Sequence, residues 1–246
     1  MTKISASEAC ETVAGAGDSR LILLCDHASN HLPADYGDLG VEASQFARHI
    51  AYDIGARDLT LGLAERLGAT AVLSRFSRLL IDPNRGMDDP TLIMRLSDGA
   101  VVPGNRDVDD AERARRIARF HRPYHDAVAA AVAGVKARGH VPFLVSIHSF
   151  TPVYKGKSRS VELGILHDRD VSLSSKLIKC FPNIDARLNE PYGPKDGVLH
   201  TLNMHGFARG LAHAMIEIRN DFVSSERGQD EWAQRLSVPL NQAAAT

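Results

Sequence analysis

The chain has 246 residues, 44% of them hydrophobic and 24% charged, with a formal net charge of −1. That is an ordinary globular composition, long enough for one sizeable core or two small ones. The near-neutral balance gives no footing for a nucleic-acid or membrane-surface partner, and no apolar run approaches the roughly 18–20 residues of a membrane helix.

Residues 1–18 are polar and small, without the apolar core of a secretory signal, and read as a mobile lead-in ending in the turn Gly15-Ala16-Gly17-Asp18. Residues 19–246 read as one domain. Leu21–Cys25 is a short apolar run that predicts a buried strand. It turns abruptly polar at Asp26, His27, Ser29, Asn30 and His31, and Pro33 closes the stretch. Phe46, Ile50 and Ile54 at spacing four predict a helix over 42–57 that carries His49 and Asp53. A second helix is expected from Asp58 to Leu67, stopped by Gly68. Thr70–Ser74 and Arg78–Ile81 read as strands.

From Asp82 to Arg106 the chain is rich in Asp, Gly and Pro, which predicts a long irregular excursion of the kind that often carries function. A long helix is expected from Asp109 or Asp110 to Gly139, with Phe120, Tyr124, Val128, Val132 and Val135 in one buried stripe and a kink or split at Pro123. Phe143–Ile147 and Glu162–Leu166 read as strands, 172–180 as a short helix, 189–197 as a loop and Val198–Ala208 as a helix. Ala214–Ile218 is the last expected strand, and a C-terminal helix starts near Asp230, with Pro239 arguing for an early stop. Strands alternate with helices throughout, which predicts one α/β domain with a mixed or largely parallel sheet.

Three strand ends carry chemistry. The first delivers His27, the Phe143 strand delivers His148, and the last delivers Glu217 inside Met215-Ile216-Glu217-Ile218, where a charge is costly unless paired or metal-linked. In an open α/β sheet, ligands bind beyond the carboxyl ends of strands. Two imidazoles and a carboxylate are a ligand set of catalytic zinc, and a further carboxylate must stay free to take a proton from water. Arg78 and Asp82-Pro83-Asn84-Arg85 form a second cluster, suited to hold a substrate carboxylate. The chain has 11 histidines, which makes a histidine-held metal worth testing. Cys10, Cys25 and Cys180 are scattered without C-x-x-C spacing, which argues against a disulfide scaffold and fits a reducing cytoplasm.

The segments Asp26–Pro33, His49–Gly55, Ser77–Arg85, Phe120–His125, Ser146–Pro152 and Met215–Asp221, in that order, resemble the N-formylglutamate amidohydrolase family. The likeness runs from about residue 20 to 222. That family is similar in plan to zinc carboxypeptidases and to the aspartoacylase and succinylglutamate desuccinylase group. The resemblance implies a mixed, largely parallel sheet flanked by helices on both faces, a zinc or other divalent metal at the strand ends, and hydrolysis of an N-acyl amino acid such as N-formyl-L-glutamate. It implies His27 and His148 as metal ligands, Glu217 as general base, and Asn84 and Arg85 as holders of the substrate carboxylate. Arg78 or Arg219 is the candidate positive side chain to steady the oxyanion. The wider group has His-x-x-Glu at the first ligand pair, whereas the fourth position here is Asn30. Asp53 is the first candidate for the third ligand. Asn30 is the alternative or a supporting group, and His49 and Asp26 are weaker candidates. The competing readings are a non-catalytic metal- or carboxylate-binding protein of this fold, and a hydrolase of another N-acyl amino acid or small peptide. The oligomeric state is left open.

Overall fold

The structure is a computed structural model that describes residues 4–244. Its strands in chain order are β1 (Ile4–Ala6), β2 (Cys10–Val13), β3 (Leu21–Cys25), β4 (Thr70–Ser74), β5 (Leu96–Ser97), β6 (Ala100–Val101), β7 (Phe143–Phe150), β8 (Val153–Tyr154), β9 (Lys157–Ser158), β10 (Leu163–Leu166), β11 (Ala186–Leu188) and β12 (His213–Arg219). The helices are α1 (Ala56–Leu67), α2 (Asp110–Arg116), α3 (Arg122–Ala137), α4 (Ser172–Leu177), α5 (His200–His205) and α6 (Glu226–Ala244).

One mixed sheet runs β1-β2-β4-β3-β7-β12-β10-β11. The central strands β4, β3, β7 and β12 are parallel, while β2 pairs antiparallel with β4 and β10 antiparallel with β12. The all-apolar run of β3 follows from burial on both faces. Leu21, Leu23 and Cys25 join a core with α1, Trp232 and Leu236, whereas Ile22 and Leu24 join the opposite core with Tyr124, Val128 and Phe120. The mixed α/β architecture expected from the alternating elements is therefore observed.

Several local expectations are corrected. Residues 1–3 of the expected lead-in lie outside the described residues, but from Ile4 onward it is not a free tail: β2 lies on the sheet in register Cys10↔Ser74 to Val13↔Ala71. Its short length and polar alternation hid it, and β1 lies outside it as the edge of the sheet. Residues 42–57 are not a helix. A 3-10 turn spans Ala43–Ala47, and α1 begins only at Ala56, after Gly55 takes the left-handed conformation (φ +78°). Spacing of four was satisfied by irregular backbone, because only the tertiary contacts of Ile50 set its depth. Arg78–Ile81, buried from Leu79 onward, is not a strand. Its carbonyls are met by side chains in place of a ladder: Asn105 donates to Leu79 O at 2.7 Å and Arg116 to Leu80 O at 2.8 Å.

The expected long helix is not broken at Pro123: it runs from Asp110 to Ala137, and its irregularity is a π-helical turn, Ile117–His121, that ends two residues before the proline. Pro239 does not stop the last helix. α6 continues through it, with Trp232, Leu236 and Leu240 buried on one face. No helix among the described residues is long and apolar enough to cross a membrane.

Candidate active site

β3, β7 and β12 deliver their polar residues at the carboxyl ends of the parallel strands. His27 follows β3 by two residues. Glu217 on β12 is the register partner of His148 on β7. Alternation along β7 and β12 puts Ser146, His148 and Glu217 on the same face as Leu144 and Met215. The rings of His27 and His148 meet edge to face with centroids 5.0 Å apart.

Asp53 completes the group from the irregular segment before α1. Its backbone N–H donates to His27 O at 2.9 Å, which ties that segment to the end of β3. The next step of the chain passes so close to Val223 that a Cβ on Gly55 would lie 2.0 Å from Val223 O. Only glycine fits there, and its left-handed φ aims the chain into α1. Asp53 Oδ2 lies 2.8 Å from His148 Nδ1 and 3.3 Å from His27 Nδ1.

Each histidine is held from behind by a second buried carboxylate. His27 Nε2 lies 2.8 Å from Asp82 Oδ1, and His148 Nε2 lies 2.9 Å from Asp26 Oδ2. A carboxylate on the outer nitrogen favours the tautomer that frees the inner one. Both Nδ1 atoms therefore face Asp53. Asp26 is itself fully buried and accepts from Tyr124 (2.9 Å), Thr201 (2.7 Å) and Ser146 (2.8 Å).

The charges of this cluster fit a divalent cation. Burial pushes Asp53 and Asp82 up, but the imidazole of His27 beside Asp53 and the Arg78 guanidinium beside Asp82 outweigh it and hold both well below the usual carboxylate range. Burial likewise opposes ionisation of Asp26, and its bond to His148 prevails, so it too is lowered. Three buried carboxylates thus face one buried guanidinium, Arg78, which lies 2.8 Å from Asp82 and 3.5 Å from Asp53. The remaining two negative charges call for positive charge between the carboxylates and imidazoles. A proton meets part of that demand on His148, which despite burial is raised to about 10 by its bonds to Asp26 and Asp53. A metal ion would meet all of it. The donor atoms of His27, Asp53 and His148 lie within 4.8 Å of one another, and Asp53 Oδ1 is a buried oxygen without a hydrogen bond. The residues fit a His-His-Asp metal site.

Glu217 lines the same cavity, of about 570 Å³, and its Oε2 is buried without a hydrogen-bond partner. Burial raises it to about 7, against the lowering charge of His148. His49, 3.4 Å from Asp53 Oδ1, is pushed down to about 4 by burial and is a neutral wall of the site.

The remaining candidates divide. Asn84 and Arg85 line the cavity, but the Asn84 amide is spent on the backbone: its Nδ2 donates to Val198 O, and its Oδ1 accepts from Thr201 N at 3.1 Å. Arg85 donates to Gly197 O at 2.6 Å and Thr91 Oγ1 at 3.0 Å. Two candidates do not reach the site. Asn30 is exposed and donates to Phe46 O at 2.8 Å, because the loop carrying it turns outward after His27. Arg219 is closed onto Asp221 (2.8 and 3.1 Å) and the carbonyls of Arg159 and Ser160, and takes no part in the cavity wall. Asp26 is not a direct member of the His-His-Asp set, and its place is behind His148.

Sequence reasoning missed the paired backing of the two histidines. Asp82 and Asp26 each sit in a quoted motif, but only the fold shows which ring each one supports. Tyr154 and Tyr192, also on the wall, carried no sequence signal.

Fold and site together define a mixed α/β protein with a buried His-His-Asp cluster and a buried glutamate at its strand ends. The family profile of N-formylglutamate amidohydrolase matches residues 19–224. The chain belongs to the N-formylglutamate amidohydrolase family. An N-formylglutamate deformylase of Pseudomonas aeruginosa is 28% identical over 154 residues, covering 57% of this chain and 54% of that protein. The chain thus spans about half the length of the curated relative it matches. The crystal structure of a gene product of Agrobacterium tumefaciens is 40% identical, with a TM-score of 0.94 over 97% of this chain and 96% of that one. The N-formylglutamate amidohydrolase of Ralstonia eutropha, at 20% identity, shares the fold with a TM-score of 0.76 over 97% and 98% of the two chains.

Proposed function

We propose that this protein hydrolyses the amide bond of an N-acyl amino acid, N-formyl-L-glutamate or a near relative, to the free amino acid and the carboxylic acid. The observation that carries the reading is Glu217: a buried carboxylate with one unpartnered oxygen, raised to about 7, beside a His-His-Asp cluster in a cavity. His27, Asp53 and His148 would hold zinc or another divalent metal. Bound there, such an ion supplies a Lewis acid that polarises a carbonyl and acidifies water.

Glu217 takes a proton from water at Oε2 and returns it to the leaving nitrogen, the two halves of general acid–base catalysis. Asp82 and Asp26 keep the two imidazoles in the right tautomer throughout. Arg78, anchored by Asp82, presents positive charge to the oxygen that becomes negative. Arg85 offers a positive charge at the cavity rim for a substrate carboxylate. Asn84 shapes that wall by holding Val198 and Thr201. The free thiols Cys10, Cys25 and Cys180 suit a reducing cytoplasm.

The test is a panel of N-formyl, N-acetyl and N-succinyl amino acids scored for amine release, with metal content measured on the same sample. Release of glutamate and formate from N-formyl-L-glutamate is the expected result. Metal binding without release from any member of the panel would make the protein a binding member of the fold.

A further inference from the structure

A second cluster of histidines lies outside the site described above. His121 ends the π-turn before α3, His125 follows one turn later, and α5 brings His200 and His205 against them. Ring centroids are 4.4 Å apart for His121 and His125, 5.6 Å for His125 and His200, and 6.0 Å for His121 and His200. His121, His125 and His205 are buried and His200 is half-buried. His121 Nδ1, His200 Nε2 and His205 Nδ1 are buried without partners. An unpaired buried polar atom is costly, and an ion held by His121 and His200 would take two of these three.

The outer nitrogens are already assigned. His121 Nε2 lies 3.0 Å from Arg85 O, and His125 Nε2 lies 3.0 Å from Pro83 O. A carbonyl only accepts, so both Nε2 atoms carry protons and both Nδ1 atoms present lone pairs. An imidazole with its far N–H on a backbone carbonyl is the usual arrangement of a metal ligand. His125 Nδ1 is met at 3.0 Å by His205 Nε2, a bond that an ion at Nδ1 would displace. Burial keeps the rings neutral, with His125 pushed down to about 3 and His205 to about 4.

We propose that His121, His125 and His200 form a second transition-metal site, separate from the His27, Asp53 and His148 centre. One donor atom from each lies within 4.8 Å of the other two. The set holds nitrogen and no carboxylate, which suits Zn²⁺, Cu²⁺ or Ni²⁺ and disfavours Mg²⁺ or Ca²⁺. Its role is structural. The ion joins α3 to α5 and braces Pro83-Asn84-Arg85, where His125 and His121 already hold the carbonyls of Pro83 and Arg85 and the side chains of Asn84 and Arg85 line the first cavity.

The experiment is zinc analysis of the full chain after equilibration with Zn²⁺ and removal of free ion, together with anomalous scattering at the zinc edge from wild-type crystals. Two equivalents are expected in the wild type, one in His121→Ala/His200→Ala and one in His27→Ala/His148→Ala, with an anomalous peak among His121, His125 and His200. A wild-type single equivalent kept in His121→Ala/His200→Ala overturns the proposal, as does a map without that peak. A single equivalent lost in that variant but kept in His27→Ala/His148→Ala upholds the second site and removes the first. If His121→Ala/His200→Ala does not fold, the wild-type anomalous map decides.

Discussion

Glu217 and His148 are paired residues of adjacent parallel strands, and both side chains rise on the same face of the sheet. The sheet itself therefore sets the distance between the proposed base and a proposed ligand. Replacing Glu217 by Gln keeps shape and volume but removes the base. Turnover should fall by about 10²–10⁴-fold with zinc content unchanged. Burial alone holds Glu217 at about 7, and a divalent cation beside it would lower it; because a base works deprotonated, wild-type kcat/KM should rise with pH and level off no higher than about 7. Wild-type turnover in Glu217→Gln would remove the residue from the role.

Asp82 and Asp26 back His27 and His148 at 2.8 and 2.9 Å. Asp82→Asn and Asp26→Asn each leave a ring without its anionic anchor. Zinc affinity, read by competition with a chelator, should weaken by about 10–100-fold in each. Asp26→Asn should also lower stability, since Tyr124, Thr201 and Ser146 all donate to that carboxylate. Unchanged affinity in both would mean that the inner nitrogens are not the ligands.

Arg78 spans two buried carboxylates with two separate nitrogens, Nη2 to Asp82 and Nη1 towards Asp53. A lysine places one point charge where the fork places two donors. Arg78→Lys should lose a charge-assisted bond of about 1.5–3 kcal/mol, roughly 10–150-fold in kcat/KM. Kinetics like the wild type's would show that position 78 supplies charge alone.

Gly55 combines φ +78° with 2.0 Å between its absent Cβ and Val223 O. Gly55→Ala should cost at least about 1–3 kcal/mol through overpacking and should lower metal affinity, because Asp53 must move with the chain. Thermal melting with and without zinc measures both. A melting temperature equal to the wild type's would contradict the close approach.

Arg219 is turned away from the cavity onto Asp221. Arg219→Ala should leave kcat/KM within about twofold, whatever it costs in stability through the lost bonds to Asp221, Arg159 and Ser160. A large loss of activity would return Arg219 to the reaction.

The amino-acid sequence by itself determined the layered α/β plan, because burial on both faces demands unbroken apolar runs such as Leu21–Cys25 and helices demand stripes such as Tyr124, Val128, Val132 and Val135. It also marked His27, His148 and Glu217, since charge or imidazole at the end of an apolar strand is legible without coordinates. Tertiary structure alone decided the rest. Asp53 lies beside the two imidazoles and Asn30 does not, because Gly55 bends the chain past Val223 and the Asp53 N–H reaches His27 O. Arg78–Ile81 is a buried turn because Asn105 and Arg116, far along the chain, supply its carbonyls with donors. Periodicity reports which residues are buried. Which carboxylate stands behind which imidazole is set by contacts between residues such as His27 and Asp82, brought together only when the sheet closes over its own loops.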